Sequence, residues 1–301
     1  MAAMAQTSYP IETPTFARKR SPGLLFQLRR WGLEIVFYGV LCMLTIVFAL
    51  PLVWMLSTSL KPEAQVIELP PQWIPSPILW ENYPRMWQSY PFGTFYINSI
   101  KIAALNVIGV VFFASLSGYA FARIRFWGRE LVFSILLSTL MIPGVVTLIP
   151  LYIIFRNIGW IDTHYPLWVP QILSNVTSIF LMRQFFMTLP QELEDAARID
   201  GCSNFGTFWR IMLPQVKPAL ATIGIFTYLG AWNNFLGPLI FINSLEKQTL
   251  PMGLALFQTE FYTSVSLTMA AATIVTAPVI VLFFFAQRYF VTGIALTGVK
   301  G

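Results

Sequence analysis

The chain has 301 residues, of which 56% are hydrophobic and only 11% are Asp, Glu, Lys or Arg. Soluble globular chains carry about 25% charged residues, so a water-facing surface of this size, and with it a soluble enzyme, is excluded. The net charge of +6 sits on basic residues at the ends of apolar blocks rather than on one groove or helix face. That placement excludes nucleic acid as the partner and fits the positive-inside bias of membrane proteins.

Residues 1–30 are polar, hold Pro10, Pro14 and Pro22, and carry Arg18, Lys19, Arg20, Arg29 and Arg30. They read as a tail with too little apolar surface to fold. No small-residue cleavage site closes the apolar run that follows, so a first span at about 33–56 is read as retained. Five further apolar blocks lie at about 98–122, 131–155, 166–186, 218–242 and 267–287. Each is long enough for the roughly 20 residues that cross a bilayer. The expected architecture is an all-α polytopic membrane protein with six transmembrane helices over residues 31–301. Of the 19 basic residues, 14 fall on one face of that arrangement and 5 on the other, which puts both termini in the cytoplasm.

The outer segment at about 57–93 holds seven prolines, too many for a long helix. Its Trp73, Trp80, Tyr83, Trp87 and Tyr90 have two readings, interfacial anchors or a docking surface for an external protein. Cys42 and Cys202 belong to segments at different depths, so no disulfide is expected, and the lone His164 offers no metal site.

Ion-coupled carriers place Asp, Glu, His or Arg within their spans. Here the third, fifth and sixth blocks carry no charge, the second only Lys101 at its start, and the fourth only Arg183 near its end. What the blocks do carry is neutral polarity: Asn106, Ser115 and Ser117, then Asn175, Thr177 and Ser178, then Trp232, Asn233 and Asn234. Hydroxyls close helix–helix contacts, but an unpartnered buried amide is costly. Two adjacent asparagines on a helix point about 100° apart, so at least one of Asn233 and Asn234 is expected on a polar path. Beside Trp232, that path suits an uncharged, hydroxyl-rich solute.

Residues 187–217 form a polar segment with its own design. Thr188-x-x-Gln191 has the form of a capping box with Pro190 in the first turn. Leu193, Ala196 and Ala197 make a short apolar stripe, and Gly201 is placed to end the helix. Ser203 caps a second helix with Phe205, Phe208, Trp209 and Met212 at helical spacing, and Pro214 is expected to close it. The acidic Glu192, Glu194, Asp195 and Asp200 argue against apposition to anionic lipid and favour a protein partner.

Asp195-Ala196-Ala197-x3-Gly201-x9-Ile211-x-Leu213-Pro214 resembles the Glu-Ala-Ala loop of the inner-membrane permease subunits of bacterial ABC importers. Asp195 stands where that family most often has Glu, and Glu194 lies alongside. The stretch Trp232-Asn233-Asn234-Phe235-Leu236 and the tail from Gln287 to Gly301 look like the carbohydrate branch, near the second permeases of the maltose and glycerol-3-phosphate types. The resemblance implies the type I ABC importer permease fold and a place in the bacterial inner membrane. It also implies four kinds of partner: a homologous second permease, two ATPase subunits, an external solute-binding protein and a sugar. By it, Glu194, Asp195, Ala196, Ala197, Asp200, Gly201, Ile211, Leu213 and Pro214 couple the spans to the ATPase. The chain has no Gly-x4-Gly-Lys-[Ser/Thr] phosphate loop, so no catalytic residue or cofactor is expected in it; ATP and Mg belong to the partner. Two rivals stand beside this reading, a lone ion-coupled carrier and an importer permease for a non-sugar solute. A phosphorylated solute would want a cation on the path, and only Lys101 lies near a span on the outer side.

Overall fold

A computed structural model describes the backbone of residues 24–259 and 264–298, and the side chains of 31–257 and 264–287. The expected tail, residues 1–30, and the residues from Arg288 onward lie outside the side chains described. Among the described residues the chain is helical with no strand. Helix α1 runs Leu24–Ser59, followed by two short helices, α2 (Glu63–Val66) and α3 (Asn82–Ser89). Then come α4 (Phe92–Arg123), α5 (Arg129–Ser138), α6 (Leu148–Asn157), α7 (Tyr165–Ser174) and α8 (Val176–Thr188). The polar segment supplies α9 (Glu192–Ile199), α10 (Asn204–Thr207) and α11 (Leu213–Gln215), with α12 (Lys217–Trp232), α13 (Leu236–Phe241), α14 (Leu250–Thr259) and α15 (Val265–Gly298) beyond.

The chain divides into two units, residues 1–53 and 54–301. The described part of the first is a single helix whose apolar side chains are exposed on nearly every face. A helix apolar all round requires apolar surroundings.

Within the second unit α4 is central. Val110, Ala114 and Tyr119 of α4 pack with Ile179, Met182 and Phe186 of α8, and with Ala219 and Ile223 of α12. A second cluster, at the N-terminal end of α4, joins Phe92, Phe95 and Ala103 to Trp232, Leu250, Phe257 and Ala270. The α4–α8 crossing is close because Gly118 has no side chain. A Cβ there would lie 2.5 Å from the Met182 Cβ and 2.9 Å from the Arg183 backbone nitrogen.

Among the described residues three continuous helices are long and apolar enough to cross a membrane, and there are four if Tyr165–Thr188 and Glu192–Ile199, bent by 79°, count as one span. The blocks expected as single spans at 131–155 and 218–242 are each broken. The first ends at Ile142, held extended (φ −83°, ψ 117°) ahead of Pro143, because proline disfavours the helical conformation in the residue before it. The second ends at Trp232, where Asn233 leaves the helix. The 166–186 block also breaks, at Asn175 (ψ 78°).

The loops at the N-terminal end of α4 are tied down by side chains. Glu63 accepts hydrogen bonds from the backbone N–H of Val265 (2.7 Å) and Ser266 (3.2 Å), and from both serine hydroxyls, Ser264 (2.8 Å) and Ser266 (2.6 Å). It thereby caps α15 from a distant part of the chain. Burial alone would raise the Glu63 carboxyl; the four hydrogen bonds outweigh it and hold it below the ordinary carboxylate range. Asp162 accepts from the Ser244 hydroxyl (2.6 Å), the Ser244 N–H (2.8 Å) and the Lys247 ammonium (2.9 Å), and these depress its carboxyl strongly. Among the aromatics of residues 57–93, Trp73 meets Trp54 edge-to-face at 4.9 Å, Trp87 packs on Phe92 and Tyr90 on Phe257. Trp80 stays exposed.

The Gly118 contact generates a test. Gly118→Val overpacks the crossing at a cost of about 1–3 kcal/mol, so the purified protein should melt earlier in detergent. Gly39→Ala, at a position with nothing within 4 Å, should melt as the unmodified protein does.

Candidate functional site

Two regions concentrate the polar side chains, a hairpin of short helices after α8 and a cavity between the broken helices.

In the hairpin, the expected capping box does not form. Thr188 is the last residue of α8 and its hydroxyl donates to Phe185 O (2.8 Å), so the following helix starts at Glu192 with no side-chain cap. The turn falls where expected: Gly201 has φ +78°, the left-handed region that favours glycine. The Ser203 hydroxyl accepts the Gly206 N–H at 3.1 Å, capping α10 as the sequence predicts. Pro214 does not close that helix. A π turn over Phe208–Met212 carries the chain into α11, with Pro214 in its first turn, where a proline needs no N–H partner.

The motif residues divide between two faces. Glu194 (4% exposed) and Ala197 are buried, and Ile211 and Leu213 pack partly against the α4–α8 core. Asp195, Ala196, Asp200, Gly201 and Pro214 are exposed. The aromatic stripe splits likewise: Phe208 and Met212 join the core, while Phe205 and Trp209 stack on each other in the open. Ile199 is 87% exposed beside them in sequence.

Arg123, at the last turn of α4, holds the hairpin's inner face. Its guanidinium donates to the Phe186 carbonyl (2.7 and 3.1 Å) and to the Leu189 carbonyl, and lies 3.7 Å from the Glu194 carboxylate. It therefore ties α4, the end of α8 and the start of α9 together. In sequence Arg123 reads only as a topological charge; its place in the last turn of an apolar helix is the available signal.

The cavity has a volume of about 670 Å³ and is lined by Asn106, Gln171, Asn175, Thr177, Ser178, Phe226, Thr227 and Asn234, with no charged residue among its walls. Three of its amides are held by one end. The Asn106 amide nitrogen donates to Ile102 O (2.9 Å) and Leu167 O (3.1 Å). Asn175 accepts the Ser178 N–H (3.1 Å) and Asn234 accepts the Gly237 N–H (3.0 Å). Each amide is thus oriented by backbone; Asn106 is buried, whereas Asn175 and Asn234 are half-buried at the cavity wall.

Of the three residues expected on the path, only Asn234 lines this cavity. Trp232 is buried, donates its indole N–H to Val275 O (3.1 Å) and stacks on Tyr228. Asn233 is exposed elsewhere, because the helix on which the pair was expected to diverge ends one residue earlier. Gln171 and Thr227 were missed. In sequence Gln171, Asn175 and Ser178 recur at i, i+4 and i+7 and Thr227 and Asn234 at i, i+7, the spacing of one helix face, although the helices themselves break at Asn175 and after Trp232.

A family model described as the binding-protein-dependent transport system inner membrane component matches residues 111–295. A probable ABC transporter permease protein of Bacillus subtilis, YurM, is 35% identical over 279 residues, covering 91% of this chain and 91% of that one. The arabinooligosaccharides transport system permease protein AraQ of Bacillus subtilis is 33% identical, covering 92% and 98% respectively. A solved structure of a bacterial ABC transporter involved in import of the acidic polysaccharide alginate superposes with a TM-score of 0.75 at 25% identity, over 90% of this chain and all of that one.

Removing the Glu194 charge leaves Arg123 with carbonyl partners only. Glu194→Gln and Arg123→Gln should each destabilise by about 1–3 kcal/mol. The double variant should cost less than the two effects added, which a double-mutant cycle on melting temperature would read as coupling.

Proposed function

We propose, from the premise that this chain belongs to the binding-protein-dependent transport system inner membrane components, that it is the permease subunit of an ATP-driven sugar importer. The observation that carries the reading is the two-faced hairpin. Its inner face is tied to α4 and α8 through Arg123 and Glu194, and its outer face offers Asp195, Ile199, Asp200, Phe205 and Trp209. A separate ATPase subunit, which brings ATP and Mg, docks on that outer face. A push there is transmitted to the spans because the inner face is bonded to two of them. A second permease completes the assembly, and an external binding protein delivers the solute.

The solute path follows the uncharged cavity. Oriented amides and hydroxyls from α4, α7, α8 and α12, with Phe226 as an apolar wall, suit the alternating hydroxyl and C–H faces of a sugar. AraQ, by its name, serves arabinooligosaccharides. A cavity without a cation favours a neutral sugar over a uronate or phosphorylated solute. Six spans, with the broken segments at 129–157 and 217–241 each counted as one, put both termini in the cytoplasm of the inner-membrane protein.

Uptake and substrate-stimulated ATP hydrolysis in vesicles holding the whole complex test this. Gly201→Val strains the positive-φ turn by about 1–3 kcal/mol, and Asp195→Lys reverses an exposed charge. Both should insert normally yet lose ATP-dependent uptake; normal transport by both would remove the hairpin from coupling. Asn234→Leu should lower uptake with the complex still assembled, whereas lost assembly would make Asn234 a packing residue.

For orientation, a cysteine at Ser76 should react with an impermeant reagent from outside and one at Asn204 should not. The reverse pattern would overturn the topology.

A further inference from the structure

At the far end of α4 from the outer loops, a polar cavity of about 590 Å³ is walled by Arg123, Arg125, Arg129 and Arg198, with Glu194 as its acidic member. Two of the four guanidinium groups are spent. Arg123 is held by two carbonyls and Glu194, and Arg129 pairs with Glu130 at 2.9 Å. Arg125 and Arg198 make no ion pair among the described residues. They reach the cavity from different elements, Arg125 from the α4–α5 linker and Arg198 from α9; of the acidic residues that set that segment against anionic lipid, Glu192, Asp195 and Asp200 are not among the cavity walls, and Glu194 is compensated by Arg123. Solvated positive-inside charges need not converge on one concavity; these do.

The linker carries a second, independent mark. Trp127 is 98% exposed, with Phe126 and Leu131 also exposed on either side. A smaller cavity of about 360 Å³ beside them shares Arg125 and Arg129. A bare tryptophan between arginines, where an apolar helix ends, is the composition of a membrane–water interface. Basic pockets at the cytoplasmic ends of transmembrane helices hold the phosphate of anionic lipid headgroups, and guanidinium is the group best shaped for phosphate oxygens.

We propose that this cavity binds the phosphate of an anionic phospholipid headgroup, with Arg125 and Arg198 as its principal ligands and Trp127 seated in the adjoining interface. The proposal rests on the orientation proposed above. Because Arg198 belongs to α9, a bound headgroup braces the hairpin against the α4–α5 linker, and anionic lipid thereby tunes coupling.

The test uses the complete importer in vesicles of phosphatidylcholine, alone or mixed with phosphatidylglycerol. Lipid retained on the purified complex is read by native mass spectrometry. The unmodified complex should keep phosphatidylglycerol in preference to phosphatidylcholine, and its uptake should rise when phosphatidylglycerol is present. Arg125→Gln and Arg198→Gln should each weaken that retention about five-fold. Arg125→Gln should leave uptake in pure phosphatidylcholine unchanged while abolishing the lipid response. Equal retention by variants and unmodified protein would overturn the proposal. Stimulation by inorganic phosphate in phosphatidylcholine vesicles would reassign the cavity to a free anion. Loss of the ATPase subunits with lipid retention intact would reassign it to an acidic protein segment. Absent uptake in every lipid would count against the importer reading alone, since retention is measured without transport.

Discussion

A backbone amide or carbonyl within a bilayer has no water to turn to, so each one freed by a helix break needs another partner. Three of the apolar blocks of this chain are broken, and two breaks coincide with an asparagine that repairs them. Asn175 takes the Ser178 N–H and Asn234 takes the Gly237 N–H, each starting the next helix with its own side chain. The repair uses one end of the amide and fixes its direction. Both residues line the uncharged cavity. The constraint that keeps the broken helices stable is therefore also what supplies the cavity with oriented polar groups.

The opposite end of the same bundle depends on a charge. Arg123 ends α4, and its five donors can serve several acceptors at once. It uses them on two carbonyls where α8 ends, at Phe186 and Leu189, and stands within ion-pair distance of Glu194. Carbonyls at a helix C-terminus carry partial negative charge, so one cation satisfies the end of α8 and compensates a buried carboxylate on α9. A motif that reads in sequence as an exposed docking loop is thus anchored from within.

Close packing connects the two ends. Gly118 lets α4 approach α8 to backbone contact, one turn before Arg123 and beside Met182. Small residues at such crossings let helices in lipid gain van der Waals contact without a hydrophobic drive between them. With α4 rigidly seated on α8 and α12, displacement of the hairpin at one end and rearrangement of the cavity walls at the other involve the same helices.

Composition and spacing alone determined the membrane class, the order of the apolar blocks, the hairpin and its turn at Gly201. These rest on local chemistry: too few charges to face water, and a glycine where φ is positive. The same spacing carried the resemblance to importer permeases that the relatives bear out. What only the tertiary structure decided were facts of direction and pairing. Trp232, Asn233 and Asn234 are neighbours in sequence, yet one packs into the core, one is exposed and one lines the cavity, because the helix ends beneath them. Thr188 could cap the next helix by spacing but is consumed as the last residue of α8. Arg123 and Glu194 meet because α4 and α8 cross at Gly118, and no local pattern records a contact between segments so far apart in the chain.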